Sequence, residues 1–184
     1  MKINNSNSGW IEIICGPMFS GKTEELIRRL KRALIANNSL KIFKPFIDDR
    51  YSDTHIVSHN NNSIESESIT NINDILVKSK KAQVVGIDEV QFFDDSIIKI
   101  ANELADSGKR VIIAGLDKDY LAKPFGPVSA LLSHAEFITK LNAICVTCGD
   151  RAFFTKRISK ENNQVIIGEK DKYQARCRNC FDKK

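Results

Sequence analysis

No apolar run in this 184-residue chain approaches the length of a membrane-crossing helix, so the sequence offers no candidate for one. The first nine residues, MKINNSNSG, are polar and lack the apolar stretch of a secretory leader, so the cytoplasm is the expected compartment. Prolines are few, four in all, and the balance of 42% hydrophobic to 28% charged residues is that of an ordinary globular protein. Neither sign of charge dominates. A formal net charge of +5 suits phosphate ligands and is too slight to argue for nucleic acid. With no export signal, the five cysteines point away from disulfides and toward metal or free thiols. Internal repeats are absent, and the one biased tract is an Asn/Ser-rich stretch around Asn60, Asn61 and Asn62. The length suffices for one core, or one core with a small appended module.

Residues 16–23 read GPMFSGKT, which satisfies G-x-x-x-x-G-K-[ST] at every fixed position. An apolar run, residues 10–15, precedes them, and a helical stretch, residues 24–36, follows. That context argues for a phosphate-binding loop over a tight turn with an exposed lysine. Gly16 and Gly21 let the backbone turn its N–H groups inward around an anion, with Pro17, Met18, Phe19 and Ser20 between them. The helix N-terminus adds its dipole. Lys22 is set to reach the outer phosphates, and Thr23 offers a hydroxyl to magnesium. The chain is expected to bind a nucleoside triphosphate.

Further along, Leu26, Ile27, Leu30, Ala33 and Leu34 form one apolar face of that helix, while Arg28, Arg29, Lys31 and Arg32 read as its solvated face. A strand is expected at 40–46, then a polar excursion through Ser68 lying outside the core. Helices at 72–80, 95–107 and 126–133 alternate with strands at 82–87, 110–114 and 136–141. Such alternation predicts a parallel sheet covered on both faces. The pattern changes after residue 142, giving an expected division into a nucleotide-binding α/β domain, 1–142, and a small module, 143–184. Within the module, β-like stretches are expected at 152–158 and 164–167.

The strand at 82–87 ends in Asp88 and Glu89, at the edge where parallel sheets bind ligands. Asp88 is the candidate to hold magnesium opposite Thr23. Glu89 is the candidate general base, taking a proton from water or from an alcohol that attacks the γ-phosphate. Gln91, Phe92 and Phe93 follow and offer an amide and aromatic walls, with one phenylalanine expected in the core. Cys145-x2-Cys148 and Cys177-x2-Cys180 make two thiolate knuckles suited to tetrahedral, structural zinc; free thiols or a redox dithiol are the alternative. Cys15 stands apart, as a buried packing residue. Three classes fit these features: a nucleoside kinase, a P-loop ATPase gripping nucleic acid through a zinc ribbon, and a non-catalytic ATP-binding scaffold.

Taken in order, GPMFSGKT, KPFIDDRY from Lys44, IDEVQFF from Ile87, GLDKDYLAKPFGP from Gly115, FTKR from Phe154 and IGEKDKYQARCRNC from Ile167 resemble the P-loop, zinc-containing (type II) thymidine kinase family. The resemblance spans nearly the whole chain. It implies a P-loop, RecA-like parallel sheet flanked by helices, with a C-terminal zinc-ribbon and lasso module. It also implies transfer of the γ-phosphoryl group of ATP, with Mg2+, to the 5′-hydroxyl of thymidine, deoxyuridine being a second acceptor. Glu89 then matches the catalytic base, and the loop from Gly16 to Thr23, with Asp88, Glu89, Val90 and Gln91, matches the ATP and magnesium neighbourhood. The nucleoside pocket maps to Met18, Phe92, Leu116, Tyr120, Phe125 and Thr155. The lasso, about 156–173, brings Ile166, Ile167 and Gly168 to the base and Tyr173 to the sugar. Asp48 and Arg50 match a charged pair near the phosphates. A homotetramer and feedback inhibition by thymidine triphosphate (dTTP) are further expectations from the resemblance, without a nucleic-acid or membrane partner.

Overall fold

Short β-branched runs such as VVGI and RVIIAGL are apolar on both faces, so they are stable only where helices cover each side. The computed structural model of the chain describes residues 8–46, 55–57, 63–159 and 172–182. Among them, in chain order, are β1 (Trp10–Gly16), α1 (Lys22–Ile35), β2 (Leu40–Pro45), β3 (His55–Val57), β4 (Ser63–Glu65), β5 (Glu67–Ile69), α2 (Asp74–Lys78) and β6 (Val84–Ile87). A single 3-10 turn, Val90–Phe92, precedes α3 (Ser96–Asp106), β7 (Arg110–Leu116), α4 (Val128–His134) and β8 (Phe137–Lys140). The remaining elements are β9 (Ala143–Ile144), β10 (Arg151–Ala152), β11 (Phe154–Arg157), β12 (Tyr173–Arg176) and α5 (Arg178–Phe181).

Six strands form one sheet in the order β5-β2-β6-β7-β1-β8, and every pairing in it is parallel. Helices α2, α3 and α4 cover one face, burying Ile75, Ile97, Ile100, Leu104, Val128 and Leu131 against Ile11, Ile13, Val85 and Ile113. Helix α1 covers the other with Leu26, Leu30 and Ala33, set on Ile14, Ile42, Val84 and Ile112. At about 1.5–3 kcal/mol for each fully buried aliphatic side chain, these two layers carry most of the folding energy. Strand β7 lies between β1 and β6, so the loop after β1 and the acids after β6 open at the same sheet edge, two strands apart.

Three expectations need correction. The segment through Ser68 is not wholly outside the core: β5 is an edge strand of the main sheet, pairing with Phe43, Lys44 and Pro45, and Ile56 and Ile69 are buried. Leu34 is 48% exposed, so the buried face of α1 ends at Ala33. Arg29 is not solvated helix surface. Its guanidinium donates to Glu12 at 2.8 Å, to Glu25 at 2.8 Å and to Thr139 at 2.8 Å. Glu12 is buried on β1 and also accepts from Arg110 at 2.6 Å and Trp10 at 2.8 Å. Burial alone would raise the Glu12 carboxyl, but these donors outweigh it and hold it below its usual value.

From Ala143 onward two small antiparallel pairs, β9–β10 and β11–β12, pack around the cysteines. The stretch expected at 164–167 lies outside the described residues.

Candidate functional site

The loop between β1 and α1 owes its shape to backbone residues of positive φ. Gly16, Phe19 and Gly21 stand at 152°, 64° and 81°, backbone conformations of the kind that turn N–H groups inward around an anion. Gly21 is the cap of α1, and Lys22 and Thr23 are its first two residues. Ser20 Oγ and Lys22 Nζ both donate to the Pro17 carbonyl at 2.8 Å, so the lysine lies folded along the loop. Burial lowers the pKa of Lys22, while Glu89, Asp88 and Asp117 pull the other way.

Opposite the loop, Asp88 leaves β6 with its N–H on the Phe43 carbonyl at 2.9 Å. It is 2% exposed. One carboxylate oxygen accepts the Thr23 hydroxyl at 3.0 Å and the other accepts the Glu89 N–H at 2.9 Å. Burial and the adjoining Glu89 carboxylate push Asp88 up to about 7, against the bonds from the Glu89 N–H and Thr23. The Asp88 carboxylate and the Thr23 hydroxyl thus meet at a helix N-terminus, with the Glu89 carboxylate near enough to repel Asp88. This all-oxygen donor set is the kind that a hard divalent cation such as magnesium takes, and its repulsion is what a cation relieves.

Glu89 adopts φ 52°, ψ 37°. A non-glycine residue in this left-handed well costs on the order of 1–3 kcal/mol, and such strain concentrates at working sites. The strained residue opens the Val90–Phe92 turn, which seats Val90 and Gln91 in the interior. Phe92 faces Phe125 edge-on, centroids 5.5 Å apart and planes at 84°, while Phe93 packs on the core, as expected of one of the pair.

The cysteine module docks directly on the phosphate loop. Met18 N–H donates to the hydroxyl of buried Thr155 on β11 at 2.9 Å, Phe19 packs on the cysteine cluster, and Lys118 Nζ donates to the Phe153 carbonyl at 3.1 Å. The Arg157 guanidinium lies 3.5 Å from the ring centroid of Tyr120 and donates to the Tyr173 hydroxyl at 3.0 Å. Arg157, two residues on from Thr155 on β11, thus ties Tyr120 to Tyr173. The Arg157 contact has no signature in the sequence, because Arg157 and its partners Tyr120 and Tyr173 lie on three separate segments.

The sulfurs of Cys145, Cys148, Cys177 and Cys180 all lie within 4.8 Å of one another, and Cys148 and Cys177 are 3.6 Å apart. Zinc bonded to four sulfurs at about 2.3 Å places them roughly 3.8 Å from each other, so the cluster fits a tetrahedral metal and not a disulfide. Although burial opposes it, N–H groups of Cys177, Thr147 and Cys148 aimed at Cys145 bring that thiol down to about 6. The knuckle backbone is arranged for a thiolate. Cys15 is buried on β1, as expected of a packing residue.

Five of the residues singled out from the sequence, Asp48, Arg50, Ile166, Ile167 and Gly168, lie outside the described residues. Among the others, Thr23 bonds Asp88, Met18 bonds Thr155, Gln91 bonds Leu116, Phe92 meets Phe125, and Arg157 joins Tyr120 to Tyr173.

A phosphate loop after the first strand, an acid pair two strands away and a four-cysteine module seated on the loop define a P-loop nucleotide-binding protein of the α/β class. A family model described as thymidine kinase matches residues 9–181, and the chain belongs to the thymidine kinase family. It is 50% identical to a thymidine kinase of Rhodothermus sp. (strain ITI 518) over 94% of this chain and 81% of that one. Thymidine kinases of Bacteroides fragilis (strain YCH46) and Porphyromonas gingivalis (strain ATCC 33277) are 52% and 50% identical, each over 95% of this chain, covering 88% and 86% of their own lengths. Among solved structures, domain III of the Thermotoga maritima replication initiation protein DnaA aligns with a TM-score of 0.44 at 20% identity, over 76% of this chain and 57% of that one.

Proposed function

We propose that this chain is a thymidine kinase that transfers the γ-phosphoryl group of ATP to the 5′-hydroxyl of thymidine, with deoxyuridine as a related acceptor. The product is thymidine monophosphate, a DNA precursor recovered by salvage. The observation that carries this reading is the Thr23–Asp88 bond at the mouth of the loop, with Glu89 on the adjoining residue, in a chain of this family.

The loop from Gly16 to Thr23 holds the ATP phosphates through backbone N–H groups and the α1 dipole. Lys22 leaves the Pro17 carbonyl for the outer phosphates. Thr23 and Asp88 would hold Mg2+, which when bound neutralises phosphate charge. Glu89 takes the proton of the 5′-hydroxyl as its oxygen bonds to the γ-phosphorus and the bond to the ADP oxygen breaks. Val90 and Gln91 complete the turn behind it. Met18, Phe92, Leu116, Tyr120, Phe125 and Thr155 wall the nucleoside, which excludes water and suppresses hydrolysis of ATP. Ile166, Ile167, Gly168 and Tyr173 close over the base and sugar, and Asp48 with Arg50 serve the phosphates. Cys145, Cys148, Cys177 and Cys180 would hold a structural Zn2+, which rigidifies the base of that closing segment. The module from residue 143 acts as a unit distinct from the nucleotide-binding part, the enzyme is cytoplasmic and homotetrameric, and dTTP spans both subsites as an inhibitor.

The test is ATP consumption with thymidine, with single-stranded DNA, and with neither. Thymidine alone should elicit turnover, and thymidine monophosphate should form mole for mole with ADP. Turnover that responds to DNA, or that ignores thymidine, would point to a motor or switch instead.

A further inference from the structure

We propose that Gln91 is a positioning residue for Glu89: a buried clamp that ties the carboxylate to the end of β7 and so fixes its direction at the reacting centre. The proposal rests on the reading of Glu89 as the base. The Gln91 side-chain amide donates to Glu89 Oε2, and its amide oxygen accepts the Leu116 N–H at 2.9 Å. The residue is 3% exposed. Its orientation follows from chemistry. The Leu116 partner is a backbone N–H, which only the amide oxygen can accept, so the NH2 must face the carboxylate.

The backbone makes room for this clamp. A Cβ at Gly115 would lie 2.8 Å from Gln91 Oε1 and 2.7 Å from Val90 Cγ1, and one at Gly126, where φ is +51°, would lie 2.3 Å from the Gln91 carbonyl oxygen. Side chains at either position would displace the turn that carries Gln91. Glu89 itself has a flexible two-methylene stem on a strained backbone, so its carboxylate needs an outside tether to hold one rotamer. The tether runs to Leu116, whose following segment supplies Tyr120 and Phe125. The clamp thus sets the base in register with the wall against which the acceptor packs. A displacement of about 1 Å at such a centre costs on the order of 10² in rate.

The alternative role for Gln91 is to satisfy a buried N–H and fill space. Gln91→Leu removes both bonds at similar volume. Gln91→Glu keeps an acceptor for Leu116 but replaces the donor with a second carboxylate beside Glu89. Each is measured for kcat, both Michaelis constants and melting midpoint, alone and combined with Glu89→Gln. We expect both single variants to lose on the order of 10²-fold in kcat with Michaelis constants within about twofold. Both variants should lower the melting midpoint, Gln91→Leu by stranding the Leu116 N–H and Gln91→Glu by burying a second carboxylate, but neither change should add to the loss already present in Glu89→Gln. Wild-type turnover in either Gln91 variant, or losses that multiply in the double variants, would overturn the clamp. Full turnover by Glu89→Gln alone would remove the base itself and the clamp with it, whereas an impaired Glu89→Gln beside active Gln91 variants removes only the clamp.

Discussion

Glu89→Gln should bind ATP and thymidine as the parent does and turn over more slowly by a factor on the order of 10² to 10⁴. The substitution keeps the shape of the side chain and its ability to accept the Gln91 amide, and deletes only its capacity to take a proton. The backbone of the phosphate loop is held by its own positive-φ residues and by the Thr155 hydroxyl. The effect therefore belongs in kcat, and the Michaelis constants should hold. Steady-state kinetics with calorimetric binding of each substrate separates the two. Unchanged turnover would remove Glu89 as the base, and a loss confined to binding would make it a substrate contact.

The second large effect is expected from the cysteine module. Cys177→Ser should abolish metal binding, because a three-thiolate set with an open position no longer closes the site. Metal-binding energy in such a module is folding energy, so the β11–β12 pair should loosen with it. Thr155 and Tyr173 lie on those strands, and the rise in the thymidine Michaelis constant should reach at least about tenfold, which corresponds to about 1.4 kcal/mol of lost contact. Because Met18 bonds Thr155 and Phe19 packs on the cysteine cluster, the ATP constant should rise as well. Metal content and both constants are measured on the same preparation. Normal constants in metal-free protein would contradict a structural role for the ion.

The phosphate loop was legible because its chemistry is local: glycines, lysine and threonine at fixed spacing shape a backbone nest within eight residues. The same holds for the cysteine knuckles, whose x2 spacing alone aims two sulfurs at one point. The parallel sheet followed from the alternation of apolar runs and helical periods. Its strand order did not, since nothing in VVGI or RVIIAGL says which neighbour each strand takes. Strand β5 escaped notice because three residues, Glu67, Ser68 and Ile69, carry too little pattern in a polar tract. Arg29 looked solvated because its partner Glu12 lies on a different element, 17 residues away. The left-handed Glu89 and the bond from Leu116 to Gln91 were hidden for a related reason. Both are products of how β6 and β7 lie side by side, and neither residue type announces them.

In the reacting complex the Glu89 carboxylate should stand between the acceptor hydroxyl and the terminal phosphorus. A crystal structure of the protein with thymidine, magnesium and a non-hydrolysable ATP analogue measures this directly. We expect a Glu89 oxygen about 3 Å from the 5′-hydroxyl, with the Gln91 amide still on the other oxygen. A carboxylate turned out of the cleft, with the 5′-hydroxyl bonded to another group, would contradict it.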